Sequence, residues 1–215
     1  MKYKKFTTDI ISSNTYLIYN SETKSGFLID PSEFRDDINN FIRENSIEIK
    51  FIAATHSHPD HIYHASKYAE NYRVPFFMHK NAEFTGEFYN AAEDMIGLKN
   101  TKFPANYTGI DNKFTLVLDK LRLNIIHTPG HSPCSCCFIC DDLMITGDTI
   151  LENTIGRTDL PGGNKKEMKS SLEKICRLEG NYKILPGHGD ISDLEHERKT
   201  NFFLEKASAK TGIKT

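Results

Sequence analysis

The sequence lacks the long apolar runs and the one-sided charge that mark membrane and nucleic-acid-binding proteins. No apolar stretch approaches the roughly 20 residues that a membrane span requires. The 27 Lys and Arg residues against 29 Asp and Glu give a net charge of −2, which leaves no electrostatic footprint for nucleic acid or an anionic membrane. Asp9, Ser12, Ser13 and Asn14 interrupt the first apolar stretch, which argues against a signal peptide. We therefore expect a cytoplasmic protein that binds neither nucleic acid nor a membrane.

A spaced cysteine framework is also missing. The chain has five cysteines, an odd count that is not typical of a secreted disulfide scaffold, and four of them are Cys134, Cys136, Cys137 and Cys140. A zinc or iron–sulfur site is one interpretation of this cluster, but the adjacent pair of cysteines fits no four-cysteine pattern well. We favour burial in a core strand, where a free cysteine packs as a small hydrophobe.

Short apolar runs alternate with helical patterns, separated by Gly, Pro and Asn. The predicted strands are residues 15–20, 26–30, 47–55, 74–79, 114–118, 121–127, 136–140, 143–146 and 183–185. The predicted helices are residues 31–43, 62–71, 165–178 and a C-terminal helix at 193–207. Residues 81–111 are less regular, and we expect a helix followed by a loop over the site. Interleaved strands and helices without a linker or repeat predict one α/β domain over residues 1–215.

Four potential metal ligands lie within six residues, in the segment Thr55-His56-Ser57-His58-Pro59-Asp60-His61. Residues two apart in an extended segment project to the same side, so His56 and His58 can reach one ion together. Pro59 bends the chain, and Asp60 and His61 then stand at a helix start that faces elsewhere. This short segment therefore predicts ligands for two adjacent ions.

Two pairs of ligands do not complete two sites, and three later segments offer more. Each places a His or Asp on a glycine-marked turn after a predicted strand, and the residues are His131, Asp148 and His188. Loops at strand ends are where a rigid sheet usually holds functional groups, and glycine allows close approach of the backbone.

This order of motifs resembles the metallo-β-lactamase superfamily over nearly the whole chain, residues 15–188. The resemblance implies an αββα four-layer sandwich with two divalent metal ions at one edge, between the sheets. Zinc is the expected metal, with iron or manganese as alternatives, because this ligand type does not select among them. The ligands implied for the first metal are His56, His58 and His131, those for the second are Asp60, His61 and His188, and Asp148 would bridge both beside a hydroxide.

Residues 155–163 give a sharper resemblance, together with residues 127–132 and 197–204. They are similar to the short glyoxalase II-like hydrolases, which lack the C-terminal helical domain of hydroxyacylglutathione hydrolase. The resemblance implies a thioesterase acting on S-lactoylglutathione or a related acyl thioester, with Asp60 and Asp148 as catalytic residues beside the metal-bound hydroxide. Tyr63 and His64 stand where the family often has a pair of small residues, so substrate identity stays open.

The expected chemistry needs no Ser or Cys nucleophile. Two ions roughly 3.5–4 Å apart can hold a hydroxide that attacks a carbonyl carbon, while a metal stabilises the oxyanion. A thiolate leaves with little acid assistance because the pKa of its thiol is roughly 8–9. The expected partner is a small thioester or ester, and the expected state is a monomer or small homo-oligomer.

Three other functions remain alternatives. An oxidoreductase similar to persulfide dioxygenases would use one iron on two histidines and an aspartate. Hydrolysis could instead act on a lactone, a β-lactam or another ester bond. A non-catalytic binding role is the third alternative, although such homologues would be expected to lose ligands.

Several further residues have both a functional and a structural interpretation. Arg157 and Asp159 either position substrate or form an ion pair within their own loop, and His64 either contacts substrate or supports the site. For His127 a buried hydrogen bond is favoured over metal ligation. His79 and His196 are expected at the surface or in a supporting role.

Overall fold

The computed structural model describes residues 1–85, 89, 97–98, 103–119 and 121–211. Strands and helices interleave along the chain, which confirms the predicted α/β class. The strands are β1 Lys2–Thr7, β2 Asn14–Tyr19, β3 Ser25–Ile29, β4 Glu48–Ala53, β5 Phe76–His79, β6 Thr108–Ile110, β7 Thr115–Leu118, β8 Leu121–His127, β9 Cys136–Cys140, β10 Leu143–Gly147, β11 Lys183–Pro186 and β12 Ser192–Asp193. The helices are α1 Asp36–Glu44, α2 Pro59–Ile62, α3 Ala65–Tyr72, α4 Lys165–Cys176, α5 Leu194–Thr200 and α6 Phe202–Thr211, with a 3₁₀ turn at Lys80–Thr85.

The strands form two mixed sheets of six strands each. The first has the order β1-β2-β3-β4-β5-β6, antiparallel from β1 to β3 and parallel from β3 to β6. The second has the order β12-β11-β10-β9-β8-β7, in which β10 and β11 form the parallel pair. Parallel pairs direct the carboxyl ends of β3, β4 and β5, and of β10 and β11, toward one edge of each sheet.

The two sheets stack face to face over a shared apolar core. Alternate residues of a strand point to opposite faces, so Ile18 enters this central core whereas Leu17 faces outward, under the helices. Phe27 and Phe51 stack with their ring centroids 4.6 Å apart in the central core. Burial of these side chains, at about 25 cal/mol per Å² of apolar surface, is the main force that holds the sheets together.

Helices cover both outer faces. On the first sheet, Ile38 of α1 and Tyr68 of α3 pack into the outer core. On the second, Leu172 of α4 and Leu204 of α6 pack on the strands. The result is the expected αββα sandwich. Among the described residues, no helix is both long and apolar enough to cross a membrane.

Three predicted helices have different boundaries in the structure. The helix predicted at 62–71 begins at Ala65 as α3, because Tyr63 and His64 form a turn after the separate short helix α2. The helix predicted at 31–43 begins at Asp36, because Asp30 has a left-handed backbone (φ 53°) and residues 31–35 lead around a turn. The C-terminal helix predicted at 193–207 is two helices separated at Asn201, whose backbone is extended (ψ 111°). The Asn201 amide donates hydrogen bonds to the Thr154 carbonyl and to Glu197, which fixes this break.

Three strands were not predicted, namely β1, β6 and β12. The predicted helix within residues 81–111 falls largely outside the described residues. Within that stretch the structure describes the 3₁₀ turn and β6, which adds a parallel strand beside β5.

Candidate metal centre

The candidate ligands stand on loops that follow strands at one edge of the sandwich. β4 ends at Ala53, and the chain continues through His56 and His58 into the short helix α2. Pro59 opens α2 at its first turn, where the missing N–H carries no cost, and Asp60 and His61 follow within the same turn. The later ligands follow β8, β10 and β11, and they are His131, Asp148 and His188.

The first donor set consists of His56, His58 and His131, all of them buried. One nitrogen from each ring lies within 4.8 Å of the others. Nε2 of His131 lies 2.9 Å from Nδ1 of His58, so these two rings direct nitrogens to the same point. The structure thus brings together the three residues that the sequence analysis assigned to one ion, and their role as ligands stays a prediction.

The second donor set consists of Asp60, His61 and His188, again with ligand atoms within 4.8 Å of one another. Oδ2 of Asp60 lies 3.3 Å from Nε2 of His61 and 3.1 Å from Nε2 of His188. The two histidine Nε2 atoms are 3.3 Å apart. Helix α2 therefore points two ligands at the turn after β11.

Asp148 lies between the two sets. Its Oδ1 is 3.6 Å from Nε2 of His61, and its Oδ2 is 3.4 Å from Nε2 of His131. The Oδ2 atom is also 3.7 Å from Nε2 of His188. One carboxylate thus approaches donors of both sets, as the bridging role requires.

The chemistry of these side chains fits a pair of divalent cations. Nε2 of His56 and Oδ1 of Asp148 are buried, and neither forms a hydrogen bond with another described residue. A buried polar atom without a partner costs free energy, which cation binding would offset. Burial lowers the pKa of His56 well below its usual value and, with His131 nearby, lowers the pKa of His58 to about 3. Both imidazoles are therefore neutral, the form that binds a metal.

The carboxylate of Asp60 is also in its ligand form. Burial opposes its ionisation, but His61 and His188 outweigh that effect and hold the pKa of Asp60 well below its usual value. A charged carboxylate and neutral imidazoles suit zinc, iron and manganese alike.

Asp30 is a functional residue that the sequence analysis missed. It ends β3 beside the first ligand loop and is buried. Its Oδ2 lies 3.0 Å from Nδ1 of His61, and its two oxygens accept hydrogen bonds of 2.7 Å from the N–H and the hydroxyl of Thr55. The Thr55 hydroxyl in turn lies 3.1 Å from Nδ1 of His56. The one sequence signal was an acidic residue at the end of an apolar strand.

Two glycines make room for the centre. A Cβ atom on Gly187 would lie 2.2 Å from Oδ1 of Asp148 and 2.7 Å from Cε1 of His61. Gly147 has φ +49°, and a Cβ atom there would lie 2.3 Å from the Thr55 hydroxyl. The glycine-marked turns are thus required for the close approach of these loops.

The predicted substrate loop contributes its backbone to the centre. Nδ1 of His131 donates to the Arg157 carbonyl at 2.8 Å, which leaves Nε2 for a ligand. The Arg157 and Asp159 side chains are exposed and paired with each other by two contacts of 3.0 Å. His64 is partly buried, and its Nδ1 donates to the Ser32 carbonyl at 2.9 Å. Contact of these side chains with substrate stays a prediction.

The remaining histidines lie outside both donor sets. His127 donates from Nε2 to the Pro133 carbonyl at 2.9 Å, the hydrogen-bonding role that was favoured. His79 is buried and stacks on His127, with ring centroids 4.0 Å apart, and so has a supporting rather than a surface position. His196 is exposed on α5.

The cysteines also lie outside the candidate metal site. All five are buried and none forms a disulfide, and no metal-ligating group found among the described residues includes a cysteine. Cys136 faces the central core and Cys137 the core under α4, as expected for neighbours in a buried strand.

Two curated relatives match the chain over nearly its full length. The probable metallo-hydrolase YqgX of Bacillus subtilis is 31% identical over 209 residues, covering 95% of this chain and 98% of the relative. The hydroxyacylglutathione hydrolase GloC of Haemophilus influenzae is 29% identical over 201 residues, covering 91% of this chain and 94% of the relative.

Two solved structures share the fold over the same length. The BLEG-1 B3 metallo-β-lactamase superposes with a TM-score of 0.85 at 25% identity and covers 94% of this chain and 99% of its own. TTHA1623, solved in a di-iron-bound form, superposes with a TM-score of 0.82 at 27% identity and covers 94% of this chain and 100% of its own. The sequence model of the metallo-β-lactamase superfamily matches residues 8–188, a span that contains every candidate ligand. The chain belongs to the metallo-β-lactamase superfamily of metal-dependent hydrolases.

Proposed function

We propose that the protein is a binuclear metal-dependent thioesterase of glyoxalase II type, which hydrolyses S-lactoylglutathione or a related acyl thioester. The observation that carries the binuclear assignment is the position of Asp148, whose oxygens lie 3.6 Å from His61 and 3.4 Å from His131. Because these histidines belong to different donor sets, one carboxylate can serve two cations.

His56, His58 and His131 would hold one ion, Asp60, His61 and His188 the other, and Asp148 would contact both. Two divalent ions in such a site supply an activated water and polarise the carbonyl of the substrate. The chain's own contribution is to orient buried imidazoles through Asp30, Thr55 and the Arg157 carbonyl. Such supporting contacts orient each ring and keep the correct nitrogen facing the ion.

Access to the centre differs between the ligands. The side chain of His188 is 24% exposed and that of Asp148 is 11%, whereas the His61 side chain is fully buried. The centre therefore opens along the Asp148 and His188 side, and we infer that the carbonyl of the substrate approaches from there. The Ser13 backbone forms a bridge with His188 and so lies beside this opening.

A thioester makes little demand on the protein at its leaving group. The pKa of a typical thiol is roughly 8–9, so the thiolate leaves with little acid assistance. The similarity to GloC, whose name gives hydroxyacylglutathione as its substrate, supports a thioester of this type. Zinc is the proposed metal, and the di-iron form of TTHA1623 makes iron the first alternative to test.

The proposed state is a monomer or small homo-oligomer that acts in the cytoplasm on small molecules. Its five cysteines, none of them in a disulfide, fit a reducing compartment, where thiols are kept reduced.

The experiment that tests this function is a substrate panel on the purified, metal-loaded protein. S-lactoylglutathione, a second acyl thioester, a lactone, a β-lactam and glutathione persulfide are assayed side by side, with oxygen consumption recorded for the persulfide. We expect turnover to be fastest on a thioester, to be lost on chelation and to return with zinc, iron or manganese. Oxygen-dependent turnover of the persulfide with one iron per chain would instead establish the dioxygenase alternative. Preference for the lactone or β-lactam would refute the thioesterase assignment.

A further inference from the structure

A groove of about 650 Å³ runs between α4, α6 and the loop that follows Asp148. None of the candidate metal ligands is among the described residues that line it. Ile155 and Thr158 of the loop form one wall, and the two helices form the others. Its volume is in the range of small-ligand sites in proteins.

Helix α4 presents one stripe of residues to the groove. Lys165, Met168, Lys169 and Leu172 line it, at the spacing i, i+3, i+4 and i+7 that brings side chains to one helix face. Met168 is 2% exposed and Leu172 is 3% exposed, so they form a buried apolar floor. The two lysines occupy the same stripe, where a helix that only packs on its neighbour usually has apolar residues.

Helix α6 repeats this arrangement from the other side. Phe203, Lys206 and Ala207 line the groove at the spacing i, i+3 and i+4. Ala207 is buried, whereas Phe203 is 40% exposed and leaves apolar surface open beside the floor. The Lys206 ammonium lies 3.7 Å from the centroid of the Phe202 ring, a cation–π contact beside the groove.

The charged residues that line the groove are all of one sign. Three lysines line it, and none of its described lining residues is acidic. The ammonium of Lys169 is 3.9 Å from Glu173, a long contact between partly exposed groups that neutralises little of this charge. An apolar floor beside three cations is complementary to a molecule with an apolar chain and an anionic head.

We propose that this groove is a second binding site, for an amphipathic anion. The alkyl or acyl chain lies against Met168, Leu172 and Phe203, and the anionic head contacts Lys165, Lys169 and Lys206. The site is separate from the metal centre but shares a loop with it. Gly156 donates to the Asp148 carbonyl at 2.9 Å, and Arg157 accepts from His131.

The test uses the full-length, metal-loaded protein with decane-1-sulfonate as the probe. A sulfonate head is chosen because it is a weaker ligand of divalent cations than a carboxylate. Binding is followed by calorimetry and by the ¹³C-methyl signal of Met168, assigned with Met168→Leu. We expect saturable binding that moves this signal, and about tenfold weaker binding of octane-1-sulfonate, which lacks two buried methylenes. Methanesulfonate and decyltrimethylammonium leave the signal in place.

Variants separate the two parts of the site. Replacing the three lysines with Gln should weaken binding about tenfold, which corresponds to about 1.4 kcal/mol shared among three exposed contacts. Phe203→Ser should weaken it at least as much, while Phe114→Ser is the matched control, because Phe114 is equally exposed at 41% but lies outside the groove. Circular dichroism confirms that each variant is folded.

Three results would overturn the proposal. The first is no probe binding at millimolar concentration, and the second is equal binding of the cationic amphiphile. The third is self-association of the protein through the groove. In that case the Met168 signal would move when only the protein concentration is raised, and Phe203→Ser would abolish the self-association. That third result would make the groove an interface between copies of the chain.

Discussion

Oδ2 of Asp30 lies 3.0 Å from Nδ1 of His61, so a buried carboxylate at the end of β3 orients a ligand on α2. With the Nδ1 proton held there, Nε2 of His61 faces Asp60 and Asp148. The same carboxylate fixes Thr55, whose hydroxyl reaches His56. One residue that touches no candidate cation site therefore supports ligands of both donor sets.

We predict that Asp30→Asn lowers metal affinity by about 10- to 100-fold, the usual effect of removing a carboxylate behind a ligating histidine. Asparagine tolerates the left-handed backbone at this position (φ 53°), so the fold is retained. Affinity is measured by competition with a chelator of known strength. Asp141→Asn is the control, because Asp141 has the same left-handed backbone (φ 52°) but its side chain is 42% exposed and pairs with the N-terminus. Unchanged affinity in Asp30→Asn would remove this residue from the centre.

Gly187 offers a steric test of the same centre. In Gly187→Ala the new methyl group would overlap Oδ1 of Asp148 and Cε1 of His61, so we expect less than half of the wild-type metal content and at least tenfold lower turnover. Gly189→Asn lies on the same loop, but a Cβ atom at Gly189 meets nothing within 4 Å, and asparagine tolerates its positive φ. Metal analysis of the two purified variants distinguishes them. Equal metal content would contradict the observed packing.

The stacked pair His79 and His127 makes stability fall at mildly acidic pH. Burial, with His127 nearby, lowers the pKa of His79 to about 4, whereas the unfolded imidazole titrates near 6.5. Between pH 4 and pH 6.5 the unfolded state therefore binds more protons than the folded state. The free energy of unfolding is not reduced by His79 above pH 6.5, and it declines as the pH falls from 6.5 toward 4.

From pH 7.5 to pH 5, the wild-type free energy of unfolding should therefore fall by about 2 kcal/mol more than that of His79→Phe, which keeps a ring on His127 but cannot titrate. Urea unfolding at both values provides the measurement. His196→Phe, on the exposed surface of α5, should respond to pH like the wild type. If the free energy of unfolding fell equally in the wild type and in His79→Phe, His79 would not be the source of the loss of stability at pH 5.

The cysteines give a chemical test of the packing. All five are buried and none forms a disulfide. Burial raises the pKa of Cys137 and of Cys140 to about 11, so few thiolates form there at neutral pH. We expect a thiol reagent such as DTNB to react with almost none of them in the native protein and with all five in guanidinium. Rapid reaction of two or more native thiols would contradict the burial of β9.

The convergence of the candidate ligands was predictable partly from local rules and partly from the resemblance to the metallo-β-lactamase superfamily. His56 and His58 share one side of an extended segment, and the prolyl turn redirects Asp60 and His61. The later ligands each stand on a marked turn after a strand. Asp30 was not predictable in this way, because its role depends on β3 lying parallel to β4, which brings it against Thr55.

The missed elements have physical reasons as well. β1 is an edge strand with exposed Lys2 and Lys4, and such charges hide the usual strand pattern while protecting the edge from other chains. No Gly or Pro marks the break between α5 and α6 at Asn201. The Asn201 side chain fixes this break through hydrogen bonds to Thr154 and Glu197. Both features depend on contacts far apart in the sequence.

The binuclear assignment is tested most directly by counting and locating the bound ions. Metal analysis is combined with anomalous diffraction from crystals of the zinc-loaded protein, for the wild type, His58→Ala and Asp148→Ala. We predict two ions per wild-type chain, one among His56, His58 and His131 and the other among Asp60, His61 and His188. Both variants should lose metal, and turnover should fall by about two orders of magnitude or more. A single ion in the wild type, or full activity in metal-depleted Asp148→Ala, would contradict the two-ion centre.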